Sequence, residues 1–297
     1  MSNVGLIIEE RAADIGNFMV GRLLPFKQKR TVGPFAFIDH MGPADMKDYQ
    51  NLDVAPHPHI GLSTLTYLFE GAIRHRDSIG SDIVIEPGAV NWMTAGKGVV
   101  HSERTPEYLR STDKSLHGIQ IWVALPKELE DMEPSFTHIE SSALPEWEEE
   151  GLKFKLIAGE VMGKKSGVPV HSKLYLIEIK SENGGKVKIG GELFGESGLY
   201  ILEGKIFDGG FTYEENHMLI AKDTKLCEFE MDERTVIYLF GGEPFPEERF
   251  IDWNFVSSSR EKIERAKQDW LDQTFPKVPG ETGFVPLPPQ NPRIRLK

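Results

Sequence analysis

The stretch Pro56-His57-Pro58-His59-Ile60-Gly61-Leu62-Ser63-Thr64-Leu65-Thr66-Tyr67-Leu68-Phe69-Glu70-Gly71 decides how the rest of the chain is read. Its second half is rich in β-branched and aromatic residues and closes on a glycine, the composition of a strand running into a turn. In an extended strand alternate side chains share a face, so His57 and His59 would aim two imidazoles the same way, their Cα atoms roughly 6.5–7 Å apart. A second metal-capable pair with the same spacing, His101-Ser102-Glu103, follows the turn signals Glu86-Pro87-Gly88 and Ala95-Gly96-Lys97-Gly98. Two such strands facing across a small β-barrel would close three imidazoles and one carboxylate around a single ion. Two plainer readings stand beside this one. A half-buried, hydrogen-bonded histidine is the ordinary state of the residue in a strand, and Pro58 also suits a loop, where the spacing fixes no common face.

These residues carry a resemblance. His57-Pro58-His59 with Gly61, a strand ending in Glu70-Gly71, then Pro87-Gly88 and finally His101 resemble the two sequence motifs of the cupin superfamily. More narrowly, the chain resembles the pirin family of two-cupin proteins, through HPHIGLSTLTYLFEG, HRDSIGSDIVIEPGAVNWMTAGKGVVHSE and HGIQIWVALP, over about residues 33 to 126. Many cupins place a Glu a few residues after the second His of the first motif, where this chain has Ser63 and Thr64. Pirin-like sequences take their carboxylate from the His-x-Glu of the second motif, here Glu103. The resemblance therefore implies two tandem jelly-roll-like cupin β-barrels, with a metal held by His57, His59, His101 and Glu103.

The composition agrees with an all-β chain. Its 297 residues suggest about two domains. The 29 Gly and 19 Pro cluster in short punctuating groups, and helical periodicity is absent until near the C-terminus. A net charge of −12 with no Lys/Arg-rich block argues against direct binding of nucleic acid or an anionic membrane. No signal-like start or membrane-length apolar run is seen, so the expectation is a soluble, monomeric, cytoplasmic protein, nuclear as well if the source is eukaryotic. The single Cys227 permits no internal disulfide and reads as a small buried apolar residue.

Taken in order, Gly5 to Ile8 and Val32 to Asp39 read as edge strands leading into the first barrel. Asp39 and His40 are kept as residues that support the ligands from behind or as ordinary structural residues, because the two tight pairs already supply four ligands. His75-Arg76-Asp77 reads as a solvated or salt-bridged turn, and Asn91-Trp92-Met93-Thr94 as a pocket wall. Leu116 to Leu125 is a strand whose inward face, either Ile119/Ile121/Val123 or Gln120/Trp122/Ala124, alternation alone leaves open. The acidic, strand-poor stretch 131–150 is expected to link a first domain, 1–130, to a second, 151–297. In the second, Tyr200-Ile201-Leu202-Glu203-Gly204 repeats Tyr67-Leu68-Phe69-Glu70-Gly71, and Gly190, Glu192 and the region of Val236 stand where the histidines would be. That barrel keeps the strand signals without the ligands, and its His171 and His217 read as structural. Ser258-x-x-Glu261 resembles a capping box before Ile263, Ala266 and Trp270 at helical spacing, predicting one short C-terminal helix packed on the interface between the barrels. A Pro-rich tail follows, and its closing Arg293, Arg295 and Lys297 are too few for a nucleic-acid arm.

Three imidazoles and a carboxylate suit Fe, Mn, Ni, Cu, Co or Zn rather than Ca²⁺ or Mg²⁺, with Fe(II) the first choice. Four protein ligands leave two positions open on an octahedral ion. The pirin resemblance implies quercetin 2,3-dioxygenase chemistry, in which O₂ opens the heterocyclic ring of a flavonol with release of CO. Glu103 would then take the flavonol hydroxyl proton as general base. The same resemblance also implies the alternative of an iron-dependent, redox-sensing regulator that binds a transcription factor or a metabolic enzyme. Both readings use the same four ligands.

Overall fold

The computed structural model describes residues 2–15 and 18–289. Arg293, Arg295 and Lys297 lie outside them. The strand expected after the histidine pair forms as Leu62–Glu70, inside a seven-stranded antiparallel sheet ordered Ser135–Ile139, Val90–Thr94, Leu62–Glu70, Lys114–Ala124, Phe35–Met46, Met19–Leu24 and Arg11–Asp14. A four-stranded sheet, Asp53–His59, Val99–Arg104, Ile73–Asp77 and Asp82–Ile85, packs on it through Leu52, Ile73 and Ile85 against Val20, Met41, Leu68 and Leu116. Both sheets end in unpaired edges, so the first unit is an open jelly-roll sandwich rather than a closed barrel.

The strand Lys114–Ala124 resolves the ambiguity that alternation left. Ile119, Ile121 and Val123 join Tyr200, Met218, Tyr238 and Phe240 of the second unit in one buried cluster, while Trp122 and Ala124 pack with Ala36, Phe37 and Leu62. Both faces are apolar because both are covered, one by the second unit and one by the interior of the first. Trp92 also belongs to the core shared by the two units, and Met93 packs with Ala95 and Val99. The segment Asn91 to Thr94 is therefore structural rather than a pocket wall.

The second unit is built on a ten-stranded sheet. Its outer strand is Val4–Glu9, paired with His217–Ala221, so the start of the chain completes the second unit. Two strands lie inside the expected linker. Ser135–Ile139 joins the first unit, where Phe136 stacks on His75 at 4.5 Å, and Glu146–Glu149 joins the second, where Trp147 stacks on Phe154 at 5.3 Å. The aromatic side chains hold what an acidic composition concealed.

The internal repeat is structural. Tyr67 and Tyr200 are both buried in the shared core, and each strand ends at a glycine of positive φ, +84° at Gly71 and +76° at Gly204. A Cβ at Gly71 would lie 2.3 Å from the Ser115 carbonyl oxygen, so the turn excludes a side chain. The C-terminal helix is Arg260–Leu271 and its cap is Ser259 rather than Ser258, with Ser259 Oγ accepting from the Lys262 N–H at 3.4 Å and donating to Glu261 at 2.7 Å. Its buried face is Ile263, Ala266 and Trp270, as the spacing predicts, but these pack with Ile60 and Val100 of the first unit rather than between the units. No helix among the described residues is long and apolar enough to cross a membrane.

Candidate metal centre

The strands Asp53–His59 and Val99–Arg104 pair antiparallel, with His57 directly opposite His101 and a bulge between His101 and Glu103. Residues opposite each other in such a pair share a face, and His59 joins them by alternation. The ring centroids stand 4.3 Å (His57–His101), 5.0 Å (His59–His101) and 5.2 Å (His57–His59) apart. One nitrogen of each ring lies within 4.8 Å of the other two, and this is the one such ligand cluster among the described residues.

Hydrogen bonds on the far sides of the rings set which nitrogen faces the centre. His57 Nδ1 lies 2.9 Å from the Ala55 carbonyl oxygen and His59 Nδ1 lies 3.1 Å from that of Asn254. A carbonyl oxygen only accepts, so both Nδ1 atoms carry hydrogen. Burial also holds the rings neutral, lowering His57 to about 4 and His59 and His101 well below the ordinary imidazole value. Neutral rings protonated at Nδ1 present bare Nε2 lone pairs, and His59 Nε2 lies 3.1 Å from His101 Nε2. Converging lone pairs in a buried site fit a cation, and three imidazoles fit a transition metal.

His101 has a buried histidine behind it. Its Nδ1 lies 3.4 Å from His75 Nδ1, and His75 Nε2 lies 3.1 Å from Asp77 Oδ2. Burial raises the Asp77 carboxyl, but bonds from His75 and Ser81 outweigh it and carry the group below its ordinary range. An ionised Asp77 accepts a hydrogen bond from His75 Nε2–H. His75 Nδ1 is then an acceptor for His101 Nδ1–H, leaving His101 Nε2 toward the centre. His75 and Asp77 are thus buried supports rather than a solvated turn.

Glu103 is half-buried and lines the same cavity, outside the group that closes within 4.8 Å. Burial raises its carboxyl, against lowering influences from His75 and the Thr66 hydroxyl. The cavity measures about 440 Å³ and is walled by Phe37, Trp122 and Trp253 together with Val285 and Pro286. Phe37 and Trp122 stack at 3.9 Å, and Arg22, held by two 2.8 Å bonds to Asp39, lies over Phe37. Asp39 itself lines the cavity, whereas His40 lies outside its lining, bonded to Glu10 at 2.7 Å and His117 at 2.8 Å. In the second unit apolar side chains fill the equivalent interior, leaving about 40 Å³ beside Leu199, Leu219 and Phe229. Cys227 lies in that core, its thiol pushed up to about 12 by burial, where it packs as a small apolar residue.

Sequence reading finds the three histidines, takes Asp77 for part of a turn and the Pro-rich tail, with Val278, Phe284, Val285 and Leu287 as anchors, for a surface segment, and misses Trp253 and Asn254. The spacing His75-x-Asp77 repeats the two-residue period of the ligand pairs and carried a usable signal. Trp253 and Asn254 reach the site only through the fold, from a hairpin about 195 residues after His59.

Comparison with known proteins identifies the family. The pirin family profile matches residues 17–123, and that of the pirin C-terminal cupin domain matches residues 176–276. A pirin-like protein of Caulobacter vibrioides is 49% identical over 292 residues, covering 96% of this chain and 99% of the relative. A solved structure of quercetin 2,3-dioxygenase from Acinetobacter baumannii superposes with a TM-score of 0.88 at 34% identity, covering 98% of this chain and 97% of that one. A second quercetin 2,3-dioxygenase structure from the same organism gives a TM-score of 0.83 at 25% identity, covering 93% and 98%. The two sandwiches are cupin domains, and the chain belongs to the pirin family.

Proposed function

We propose that the protein is an iron(II)-dependent dioxygenase of the quercetin 2,3-dioxygenase type, with His57, His59, His101 and Glu103 holding the ion. The observation that carries this reading is the convergence of three imidazole nitrogens within 4.8 Å at the wall of a cavity lined by aromatic rings. A bound iron(II) supplies the one-electron chemistry that lets dioxygen react with an organic anion. The chain's own residues bind, orient and deprotonate. Phe37, Trp122 and Trp253 offer flat apolar surface to a planar polycyclic substrate. Glu103, on the same cavity wall, accepts the flavonol 3-hydroxyl proton. The overall conversion, flavonol and O₂ to an ester and CO, balances without another co-substrate. The similarity to Acinetobacter proteins named quercetin 2,3-dioxygenase supports the substrate class.

The test is O₂ uptake and CO release by the purified chain reconstituted with iron(II) and given quercetin. Stoichiometric uptake and CO release, lost on chelation, is the expected result. Stoichiometric iron binding with no turnover of any flavonol would move the assignment to an iron-dependent regulator with a protein partner.

A further inference from the structure

The tail Phe275-Pro276-Lys277-Val278-Pro279-Gly280-Glu281-Thr282-Gly283-Phe284-Val285-Pro286 turns back over the first unit. The Val285 N–H donates to the Pro56 carbonyl at 2.8 Å, one residue before His57, and the Val285 carbonyl accepts from Trp270 Nε1 at 2.9 Å. Phe284 meets the Trp270 ring edge to face at 5.6 Å. Upstream, the Glu281 side chain is only 5% exposed. It accepts from Arg104 Nε at 2.9 and 3.0 Å, from Arg104 Nη2 at 2.5 Å and from Ser102 Oγ at 3.0 Å, with Arg76 3.6 Å away. Arg104 and Arg76 hold its carboxyl below the ordinary range against burial.

One strand serves both the clamp and the metal centre. Along Val99–Arg104, His101 and Glu103 line the cavity while Ser102 and Arg104 grip Glu281 on the opposite face. A two-residue period makes these faces distinct. The clamped segment delivers Val285, Pro286 and Pro288 to the cavity wall. A proline-rich segment has little regular hydrogen bonding of its own, so its place depends on anchors supplied by other elements.

We propose that the Glu281 clamp is a positioning device which holds the Val285–Pro288 wall over the metal cavity and so limits the size of the substrate admitted. Glu281 is not among the residues that line the cavity and acts through the wall, whose residues set specificity for compact planar substrates. The inference rests on the reading of this cavity as the metal and substrate site.

The experiment compares the full-length parent with Glu281→Gln, which keeps the side-chain size and removes the charge, and with Glu281→Asp. Three quantities are read: extraction of nickel(II) from loaded protein by EDTA, hydrogen exchange at the Val285 amide, and KM and kcat for quercetin and for a quercetin glycoside. The expected result for Glu281→Gln is about tenfold faster extraction and exchange, the size of one lost charge-assisted hydrogen bond, with one nickel still bound at saturation. The glycoside KM should fall relative to that of quercetin with little change in kcat, and Glu281→Asp should fall between. Parent-like extraction and exchange would overturn the proposal, as would faster exchange at Val285 without faster extraction. If Glu281→Gln does not fold, Val285→Pro, which deletes the donor to Pro56 and with it the amide at that position, should show the same acceleration of nickel extraction, and its failure to do so overturns the proposal equally. Absence of flavonol turnover in the parent would remove the proposed reaction while extraction and exchange still decide the role of the wall.

Discussion

His59 and His101, on neighbouring strands of the four-stranded sheet, meet Nε2 to Nε2 at 3.1 Å. The His59 Nδ1 hydrogen is committed to the Asn254 carbonyl, so the His59 Nε2 lone pair points at its neighbour. A divalent transition metal would give the three imidazole lone pairs a common acceptor in place of one another. We expect one tightly bound ion per chain, in the first unit, with thermal stability rising on loading. At a free metal concentration about 100 times Kd the gain is about 2.7 kcal/mol, or a Tm shift of roughly 4 °C for a chain of this length. Elemental analysis and calorimetry check this, and two tight ions per chain or an unchanged Tm would contradict it.

Asp77 reaches the metal centre through His75. The Asp77→Asn change keeps the shape and can still accept from the Ile79 and Ser81 amides, which now bond Oδ1 at 3.1 and 2.8 Å. It places an NH₂ group opposite His75 Nε2, which favours the tautomer with hydrogen on His75 Nδ1. His101 must then accept at Nδ1 and carry hydrogen on Nε2, where the metal belongs. Metal affinity should fall about 10–100-fold, the range for loss of a partner behind a liganding histidine. Titration with nickel(II) or cobalt(II) measures it, and parent-like affinity would show that Asp77 serves the turn alone.

The strands were legible because each half-buried segment announced itself by β-branched and aromatic residues, and the histidine pairs because a period of two is simple to recognise. The sequence was silent where a function depends on residues far apart in the chain. Asn254 orients His59 with a backbone carbonyl, which any residue type could supply, so no side-chain pattern marks it. Glu281 reads as an isolated acid in a proline-rich tail, and only folding brings it to Arg104. Val4–Glu9 reads as an edge strand, as it is, but alternation cannot say that the sheet it edges belongs to the other unit. The helix face was correct and its support was not, because the spacing of Ile263, Ala266 and Trp270 specifies an apolar stripe and says nothing about what covers it.

His117 offers a pH test away from the metal. Its ring lies at 2.8 Å from His40 and edge-on to Phe69 at 4.8 Å, and burial lowers it to about 4, helped by the nearby His40. The folded value lies below the unfolded one, so the unfolded chain takes up the proton first as pH falls. The contribution to stability is complete above about 6.5 and is lost as pH falls through the window down to about 4. Unfolding of the metal-loaded protein between pH 7 and 4.5 should therefore show a proton uptake that His117→Gln reduces by a fraction of one proton. An identical pH dependence in parent and variant would show that His117 titrates normally.

Glu103 and His59 line one cavity but should fail differently when altered. Glu103→Gln keeps the size, removes the charge and leaves a neutral oxygen donor, so metal binding should weaken moderately. Flavonol turnover per bound iron should fall much further, by about 10²–10⁴-fold, the range for loss of a general base. His59→Ala removes one of three converging nitrogens, and its loss of activity should track its loss of iron, with activity per remaining ion closer to that of the parent. Measuring iron content and turnover on the same samples, with iron resupplied in excess, separates the two. Equal activity per bound iron in Glu103→Gln and the parent would leave Glu103 a ligand at most and return the proton to another acceptor.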